Sequence, residues 1–288
     1  MRILILAAGL GTRLHPLTLQ MPKPLVPVVD KTILEHQANL ARKVPFAELH
    51  INAHYLADKL TIAAKELGFE KVWEESPEIL GTGGPLFRMN AEDPVDELLV
   101  MNSDCFCHFD LNAFLANARA SKASFALLGV DFPKVNSLYV ENEKLVGVAN
   151  RFGSSCALPL TFSGVSWYST AALSSIRADE RDVVRFWERS VLQGEAPFVD
   201  ASQKKALWID MGSPEGLMKA CDARRAELKI DNFGIFKRAE ASVVEPGSEI
   251  PESATLEHSV VFAGAQIGEG EHLINEIRGK DFNWKLPC

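Results

Sequence analysis

Apolar and polar positions alternate in blocks over the first half of the chain. Short continuous apolar runs predict strands buried on both faces of a sheet, and stretches with apolar residues three to four positions apart predict helices. The predicted strands cover 3–8, 49–52, 72–73, 98–101 and 124–130, and the predicted helices cover 33–43, 56–67 and 111–121. Strands that alternate with helices of about ten residues or more require crossover connections. We therefore expect an α/β fold with a Rossmann-like mixed, mainly parallel sheet flanked by helices.

The pattern changes twice further along the chain. Short strands and turns fill residues 131–170, which suits an antiparallel insertion or lid. After about residue 237, apolar residues recur every six positions, at Val244, Ile250, Leu256 and Phe262 and then, after a one-residue slip, at Val261, Ile267 and Leu273. A six-residue period is typical of a left-handed parallel β-helix, with about three hexads in each coil. A meander of irregular loops is the alternative.

These patterns predict two domains, an α/β domain over 1–236 and a short left-handed β-helix tail over 237–288. The length of 288 residues agrees, because one domain usually takes about 150 residues. A tail of about two coils leaves an open end that must be covered by the α/β domain or by another subunit. The tail is therefore a candidate contact for a homo-oligomer.

Polar clusters directly follow three of the predicted strands, after Ala8, Asn52 and Met101. In open α/β sheets, ligands collect at the carboxyl ends of the strands. We therefore expect the functional site at this edge of the sheet.

The strongest chemical signal is the loop that follows the first strand, from Leu6 to Leu25. Small residues let the backbone approach a ligand closely, and their N–H groups can form an anion cradle. Arg13 and Lys23 bring two cations to the same loop, so together they can neutralise a polyphosphate. A plain strand-to-helix turn with surface charges is the alternative reading of the glycines alone. The loop lacks the Gly-Lys-Ser/Thr of a Walker motif and the third glycine of the dinucleotide fingerprint, which removes the main support for a dehydrogenase.

Asp104 and Asp210 are candidate metal ligands. Each follows apolar residues, where a carboxylate is costly unless it meets a cation. Mg²⁺ prefers oxygen ligands from one or two carboxylates together with substrate phosphates. A helix cap or a surface position is the alternative for either aspartate taken singly.

Four segments, in chain order, carry a resemblance to a known family. They are 6–28, Glu78–Gly84, Met101–Asp104 and Leu207–Pro214. Together they resemble the motifs of the sugar-1-phosphate nucleotidyltransferases, also called nucleoside-diphosphate-sugar pyrophosphorylases. The branch they resemble most contains mannose-1-phosphate guanylyltransferases and N-acetylmuramate-1-phosphate uridylyltransferases. The tail also resembles the ends of many members, so the resemblance covers essentially the whole chain.

The resemblance implies a reaction and a set of site residues. The sugar-1-phosphate oxygen attacks the α-phosphorus of a nucleoside triphosphate in line, pyrophosphate leaves, and catalysis consists of positioning and charge stabilisation. The implied catalytic residues are Arg13, Lys23, Asp104 and Asp210, of which Asp104 and Asp210 bind Mg²⁺. The implied nucleotide-binding residues are Ala7, Ala8, Gly9, Gly11, Thr12, Arg13, Lys23, Asn52 and Gly83. The implied sugar-binding residues are Gly84, Asn102, Ser163 and Gly164.

Two features depart from the commonest family pattern. Ser103 stands where glycine is usual, so the loop at Asp104 is expected to be slightly displaced. No Glu-Lys-Pro segment occurs between 131 and 150, where Lys134 is only a weak substitute. Ser163 and Gly164 instead resemble a sugar-contacting segment of the bacterial branch.

Composition narrows the class of protein further. Acidic residues give a net charge of −8, which disfavours non-specific binding to nucleic acid or to an anionic membrane. No apolar run reaches the roughly 18 residues of a membrane span, and Gly9 interrupts the first run before a signal peptide can form. The five cysteines are odd in number and scattered, as expected for free thiols in a reducing compartment. We expect a cytoplasmic protein without nucleic-acid or membrane partners.

The sequence leaves three classes of function to compare, and the first is nucleotidyl transfer. Guanylyl transfer to mannose 1-phosphate is favoured, and uridylyl transfer to N-acetylmuramate 1-phosphate or another sugar 1-phosphate is the close alternative. A non-catalytic paralogue that senses nucleotide sugars is the second class, although all four charged residues are present. A nicotinamide-dependent oxidoreductase is the third, and it would require a bound nicotinamide.

Overall fold

The structure, a computed structural model, describes residues 1–153, 158–234 and 238–287. The helices are α1 Leu17–Gln20, α2 Ile33–Ala41, α3 Ala57–Glu66, α4 Gly84–Glu92, α5 Leu111–Ala120, α6 Thr170–Ser175, α7 Val183–Leu192 and α8 Pro214–Leu228. The strands before residue 150 are β1 Arg2–Leu6, β2 Pro27–Val28, β3 Lys31–Thr32, β4 Glu48–Ala53, β5 Lys71–Glu74, β6 Glu97–Asn102, β7 Cys105–Cys107, β8 Phe125–Val130, β9 Leu138–Glu141 and β10 Lys144–Val148. The later strands are β11 Leu158–Ser169, β12 Phe198–Asp200, β13 Trp208–Asp210, β14 Ala239–Glu240, β15 Val243–Val244, β16 Thr255–Glu257, β17 Val260–Val261, β18 His272–Ile274, β19 Glu276–Gly279 and β20 Phe282–Lys285.

The described chain forms two compact units, each built from several segments. Unit 1 comprises 1–9, 37–103 and 107–208, and unit 2 comprises 10–36, 104–106 and the described residues from 209 onward. The predicted domain boundary at 236/237 falls within 235–237, outside the described residues, and stays a prediction. Within each unit, segments that are distant in the sequence pack together.

Unit 1 contains a nine-stranded sheet in the order β5-β4-β1-β6-β11-β8-β12-β10-β9. The strands β5, β4, β1 and β6 are parallel, as the helix-containing connections require. In contrast, β11 is antiparallel to both β6 and β8, and the hairpin partners β9 and β10 are antiparallel to each other. Farther along the sheet, β12 is parallel to β8. The sheet is therefore mixed, as expected, and antiparallel pairs arise where β9, β10 and β11 follow one another without a crossover helix.

The core of unit 1 explains why its strands form. Leu4, Leu127 and Phe125 are almost fully buried, and β1 places three consecutive apolar side chains out of solvent. From α7, Phe186 and Trp187 join the same apolar cluster. A strand with apolar residues on both faces is stable only inside such a layered arrangement.

Unit 2 has a core of its own. Met211 and Leu217, just before the start of α8 and within its first turn, are fully buried with Val28 of β2 and with Val243 and Ile277 from the tail. Helix α8 begins after Ser213, whose side chain accepts a hydrogen bond from the Gly216 N–H at 3.2 Å. This is a standard N-terminal cap, which satisfies an otherwise unpaired backbone donor.

The tail repeats with a period of 17 residues. Parallel pairs join β14 to β16 to β18 and β15 to β17 to β19, and Glu249 bridges Gln266 on a third side. Leu256 pairs with Leu273, and Val244 pairs with Val261. Both pairs are buried in one apolar cluster with Ile267, as the predicted periodicity expects. The prediction is wrong for Phe262, which is buried in the other apolar cluster of unit 2, because the adjacent Val261 takes the position in the tail cluster. The one-residue slip in the sequence corresponds to a 17-residue repeat in place of three full hexads.

No helix within 1–153, 158–234 and 238–287 combines the length and apolar character that a membrane span requires. Among the cysteines, Cys221 is a buried free thiol, and Cys105 and Cys107 are also buried. Cys156 and Cys288 lie outside the described residues.

Candidate active site

The first glycine loop is shaped by local backbone geometry in unit 2. Gly11 has a φ of 65° and precedes a 3-10 turn over Thr12–Leu14. Other L-residues rarely adopt this left-handed region, which explains the glycine. The Thr18 hydroxyl donates a hydrogen bond of 2.8 Å to the Gly11 carbonyl oxygen, which closes the loop. The turn buries Leu14 and leaves Thr12 and Arg13 exposed.

Arg13 and Asp210 form an ion pair in unit 2. The Arg13 Nη1 atom lies 3.3 Å from Asp210 Oδ2, and the Gly212 N–H donates to Asp210 Oδ1 at 2.8 Å. The guanidinium lies directly over Gly212, where an added Cβ would fall 2.1 Å from Nη2. An exposed pair of this kind contributes at most about 1 kcal/mol to stability. Its importance is that it fixes where the guanidinium points.

Lys23 and Asp104 form a second pair in the same unit. Lys23 begins a 3-10 turn over Lys23–Leu25 and is only 8% exposed. Its Nζ lies 3.1 Å from Asp104 Oδ2. A buried ammonium group is costly without an opposite charge, so Asp104 compensates the charge of Lys23.

The two aspartates are linked through the backbone. The Met211 N–H donates to the Asp104 carbonyl oxygen at 3.0 Å, which places the residue after Asp210 beside Asp104. The structure thus brings all four predicted catalytic residues together within unit 2, as two cation–carboxylate pairs.

The carboxylates also fit a magnesium ion shared with substrate. The side chains of Asp104 and Asp210 are 39% and 38% exposed, so their oxygens remain accessible. Within the described residues, no group of three or more His, Cys, Asp or Glu side chains forms a metal cage. Two hard oxygen ligands suit Mg²⁺, which usually keeps waters and substrate phosphates in its remaining positions.

Asn52 lies in unit 1, where it supports the backbone at the end of β1. It is 1% exposed, and its Oδ1 accepts a hydrogen bond from the Ala7 N–H at 2.6 Å. Ala7 and Ala8 are buried after β1, and Gly9 is exposed. The predicted nucleotide-binding role of Asn52 stays a prediction, and the observed contact is to the backbone of the glycine loop.

Glu75 is a residue of this region that the sequence analysis missed. It directly follows β5, is 2% exposed, and accepts a hydrogen bond from Asn52 Nδ2 at 2.7 Å. The available signal was an acidic residue at the carboxyl end of the predicted strand at 72–73. Its adjacency to the exposed Glu74 concealed it, because nothing in the sequence distinguishes the buried carboxylate from its neighbour.

The second glycine loop of unit 1 lies against the segment before α7. The Gly83 N–H donates to the Arg181 carbonyl oxygen at 2.8 Å, and the Val183 N–H donates to Thr82 Oγ1 at 3.0 Å. A Cβ on Gly83 would fall 2.1 Å from a backbone oxygen, and one on Gly84 would fall 2.9 Å from the Leu80 side chain. Close packing therefore explains why glycine occupies both positions. Their roles in binding nucleotide and sugar stay predictions.

The other predicted sugar-binding residues are neighbours in unit 1. The register of β11 against β8 shifts between Phe162 and Ser166, and this irregular stretch contains Ser163 and Gly164. Gly164 lies against Asn102, because an added Cβ would be 2.9 Å from the Asn102 Cβ. Their common location agrees with a shared role, which stays a prediction.

A cavity of about 270 Å³ opens beside Asn102. Its polar lining includes Thr82 and Ser166, and its apolar wall includes Phe162 and Trp187. Small-molecule sites commonly combine a mainly apolar wall with a few polar groups. This cavity therefore has the character of a pocket for a small organic ligand.

Ser103, which replaces the usual glycine, holds its loop in place by hydrogen bonds. Its N–H and its hydroxyl both donate to the Leu6 carbonyl oxygen, at 3.1 and 2.7 Å. The serine thus ties the segment before Asp104 to the end of β1. Lys134, the weak substitute for the missing lysine, is exposed.

Comparison with known proteins identifies relatives of one kind. A family model described as "Nucleotidyl transferase" matches residues 2–137. The "Probable mannose-1-phosphate guanylyltransferase 2" of Arabidopsis thaliana is 27% identical over 94% of this chain and 74% of its own length. The "Mannose-1-phosphate guanylyltransferase catalytic subunit beta" of Xenopus tropicalis is 29% identical over 76% of this chain and 63% of its own. The matched region thus spans less than two thirds of the second relative.

Solved structures agree on the fold. A putative glucose-1-phosphate thymidylyltransferase from Bacillus anthracis, in complex with a sucrose, superposes with a TM-score of 0.64 at 18% identity. The match covers 78% of this chain and 95% of that chain. At this identity the similarity establishes the mixed α/β nucleotidyltransferase fold alone.

Proposed function

We propose that the chain is a sugar-1-phosphate nucleotidyltransferase, which transfers a nucleotidyl group from a nucleoside triphosphate to a sugar 1-phosphate; the matching family model and the relatives described above support this. Pyrophosphate is the second product. The observation that carries the proposal is the pairing of Arg13 with Asp210 and of Lys23 with Asp104. Two cations that each contact a carboxylate can exchange that partner for phosphate.

The cations divide the phosphate groups between them. Arg13, exposed and planar, stabilises the leaving pyrophosphate, to which its guanidinium can donate two parallel hydrogen bonds. Lys23, buried and compact, neutralises the α-phosphate and the incoming sugar phosphate. A general base is unnecessary, because the attacking phosphate oxygen is already anionic at neutral pH. Catalysis then consists of positioning and electrostatic stabilisation.

We propose Mg²⁺ as the cofactor, held by Asp104 and Asp210. Their accessible carboxylate oxygens support this assignment. When bound, the ion supplies positive charge to the phosphate oxygens. Arg13 and Lys23, released from the carboxylates, then contact phosphate.

The proposed substrates are GTP and mannose 1-phosphate. The support is that both relatives described above are named mannose-1-phosphate guanylyltransferases. We place the sugar beside Asn102, Ser163 and Gly164, next to the cavity of about 270 Å³.

The tail is proposed to be a left-handed parallel β-helix, with the 17-residue displacement of its strand pairs as support. Its open end is proposed as a contact between copies of the chain. A cytoplasmic location is proposed, with the buried free thiol of Cys221 as support.

Pyrophosphate release tests the function. The protein is mixed with Mg²⁺, one of GTP, UTP, dTTP, ATP and CTP, and one of mannose 1-phosphate, N-acetylmuramate 1-phosphate and glucose 1-phosphate. We expect the fastest release with GTP and mannose 1-phosphate. Asp104→Asn should lower it ~100-fold or more, because an amide is a poorer ligand for Mg²⁺ than a carboxylate.

The matched control is Asp179→Asn, which removes a charge from an exposed position and should leave the rate unchanged. Fastest release with UTP and N-acetylmuramate 1-phosphate would replace the proposed substrates and keep the reaction class. Silence with every pair would contradict the reaction and favour a paralogue that senses nucleotide sugars.

A further inference from the structure

Glu75 is a buried carboxylate at the carboxyl end of the unit 1 sheet. It follows β5 directly, and its backbone N–H extends the ladder to the Ala53 carbonyl oxygen at 2.8 Å. Only 2% of the residue is exposed. A carboxylate in such a place is costly unless hydrogen bonds replace its water, so its partners indicate why it is there.

One oxygen of Glu75 reaches the first glycine loop through Asn52. Glu75 Oε1 accepts from Asn52 Nδ2 at 2.7 Å, and Asn52 Oδ1 accepts from the Ala7 N–H at 2.6 Å. Ala7 is the first residue after β1, at the start of the loop that continues to Arg13. The neighbouring strands β5, β4 and β1 are therefore joined across their carboxyl ends by a chain of two side chains.

The other oxygen holds the second glycine loop. Glu75 Oε2 accepts from the Leu80 N–H at 2.7 Å, and Leu80 is followed directly by Gly81-Thr82-Gly83-Gly84. Both glycine loops are thus connected to one carboxylate.

The directions of these hydrogen bonds demand this pair of residue types. An ionised carboxylate accepts with both oxygens, and Asn donates with its nitrogen and accepts with its oxygen. The backbone N–H groups of Ala7 and Leu80, at the two ends, can only donate. Two side chains that connect these two N–H groups must therefore each offer an acceptor oxygen to one of them. Between the two side chains, one must donate a hydrogen bond and the other must accept it.

We propose that Glu75 is a positioning residue for nucleotidyl transfer, which sets the first glycine loop through Asn52 and the second through Leu80. The inference rests on the proposed function for the reaction that it serves. Glu75 itself does not contact substrate. Its effect is to hold two backbone segments at the spacing that the nucleotide requires.

Exchanging the two side-chain types tests this arrangement. In Glu75→Gln the new amide nitrogen faces a donor, whichever way it turns, so one contact is lost. In the double variant Asn52→Asp with Glu75→Gln, the introduced carboxylate accepts from the Ala7 N–H and from the introduced amide nitrogen. The oxygen of that amide then accepts from the Leu80 N–H. The double variant has the same charge and the same number of hydrogen bonds as the original chain.

We expect Glu75→Gln to lower kcat about 10- to 100-fold at the preferred substrate pair, with KM for the sugar phosphate unchanged. The double variant should recover to within about threefold of the parent. The control is Glu74→Gln, which alters the exposed neighbour on β5 and should leave kcat unchanged. Full kcat in Glu75→Gln, or no recovery in a double variant that melts like the parent, would overturn the proposal.

Backbone hydrogen exchange separates this inference from the proposed function. The Ala7 and Leu80 amides should exchange faster in Glu75→Gln than in the parent, and at the parental rate in the double variant. Unchanged exchange in Glu75→Gln contradicts the hydrogen-bonded chain, whatever the activity. If the parent protein is inactive while exchange follows the expected pattern, the function fails and the chain of hydrogen bonds stands.

Discussion

Arg13 owes its position to a glycine 199 residues away, as the contact with Gly212 shows. The Gly212 N–H orients Asp210, and the absence of a Cβ leaves the space that the guanidinium occupies. A single residue thereby serves both members of the ion pair. A Cβ at Gly212 would displace only the end of the flexible Arg13 side chain, so its effect on activity can be measured without a large effect on the fold.

Gly212→Ala should move the Arg13 guanidinium away from Asp210, since the new Cβ would lie 2.1 to 2.3 Å from three of its atoms. We expect pyrophosphate release to fall about 10-fold or more, because a misplaced charge stabilises the leaving group less well. The free energy of unfolding should change by less than about 1 kcal/mol. Kinetics and urea denaturation measure the two effects.

Gly268→Ala is the matched control, because a Cβ there meets its nearest neighbour at an ordinary 3.5 Å. It should leave both activity and stability near the parental values. Equal activity in the two alanine variants would contradict the role assigned to the space above Gly212.

At the scale of elements, the 17-residue repeat of the tail determines which side chains form its interior. Leu256 and Leu273 pair one above the other. Ser242 and Ser259 are polar residues separated by the same 17 positions. Ser242 Oγ accepts from the Ser259 N–H, and Ser259 Oγ accepts from the Glu276 N–H. The repeat therefore provides hydrogen-bond acceptors for buried backbone N–H groups as well as an apolar interior.

Leu273→Ala should destabilise the tail by about 2–5 kcal/mol, because it removes a fully buried side chain from the apolar cluster of the last repeat. Hydrogen exchange of the amides over 254–274 reports the loss locally. Ile274→Ala, at the adjacent position with 52% exposure, is the control and should have little effect. Similar exchange in both variants would show that the 17-residue register does not define the interior.

At the scale of the whole molecule, the two units contain histidines with opposite pH dependence. Burial, and then the charge of Arg2, lowers the pKa of His50 in unit 1 to about 4. In unit 2, burial opposes protonation of His258, but hydrogen bonds with Asp222 and Asn275 raise its pKa overall. His258 therefore stabilises its unit below the unfolded pKa of about 6.5, and this contribution is lost as pH rises through the folded value.

His50 should make unit 1 less stable in acid. Below pH ~6.5 His50 binds a proton in the unfolded chain, whereas in the folded protein it does so only at about pH 4, so the free energy of unfolding falls across this window by ~3 kcal/mol. His50→Gln should reduce the loss, since Gln can still accept the hydrogen bond that Trp73 Nε1 donates at 2.9 Å. Urea denaturation at pH 7 and pH 4.5 measures it.

His272→Gln, at an exposed position, is the comparison and should retain the parental pH dependence. A His50→Gln protein that loses as much stability between the two pH values as the parent would contradict the assignment to His50.

Local patterns in the sequence determined much of the fold and the chemical character of the site. Continuous apolar runs identified β1, β6 and β8, and the hexad pattern identified interior residues of the tail, with Phe262 as the exception. The motifs located Arg13, Lys23, Asp104 and Asp210 without any distances. These features depend on neighbours along the chain, which is why the sequence shows them.

Only the tertiary structure decided which of these groups meet. Arg13 and Asp210 are 197 residues apart, and Lys23 and Asp104 are 81 apart, so no local rule predicts how they pair. The direction of β11 and the burial of Glu75 likewise depend on which strands become neighbours. Hydrogen-bond partners and burial arise from contacts between distant segments, and a linear pattern carries no direct record of them.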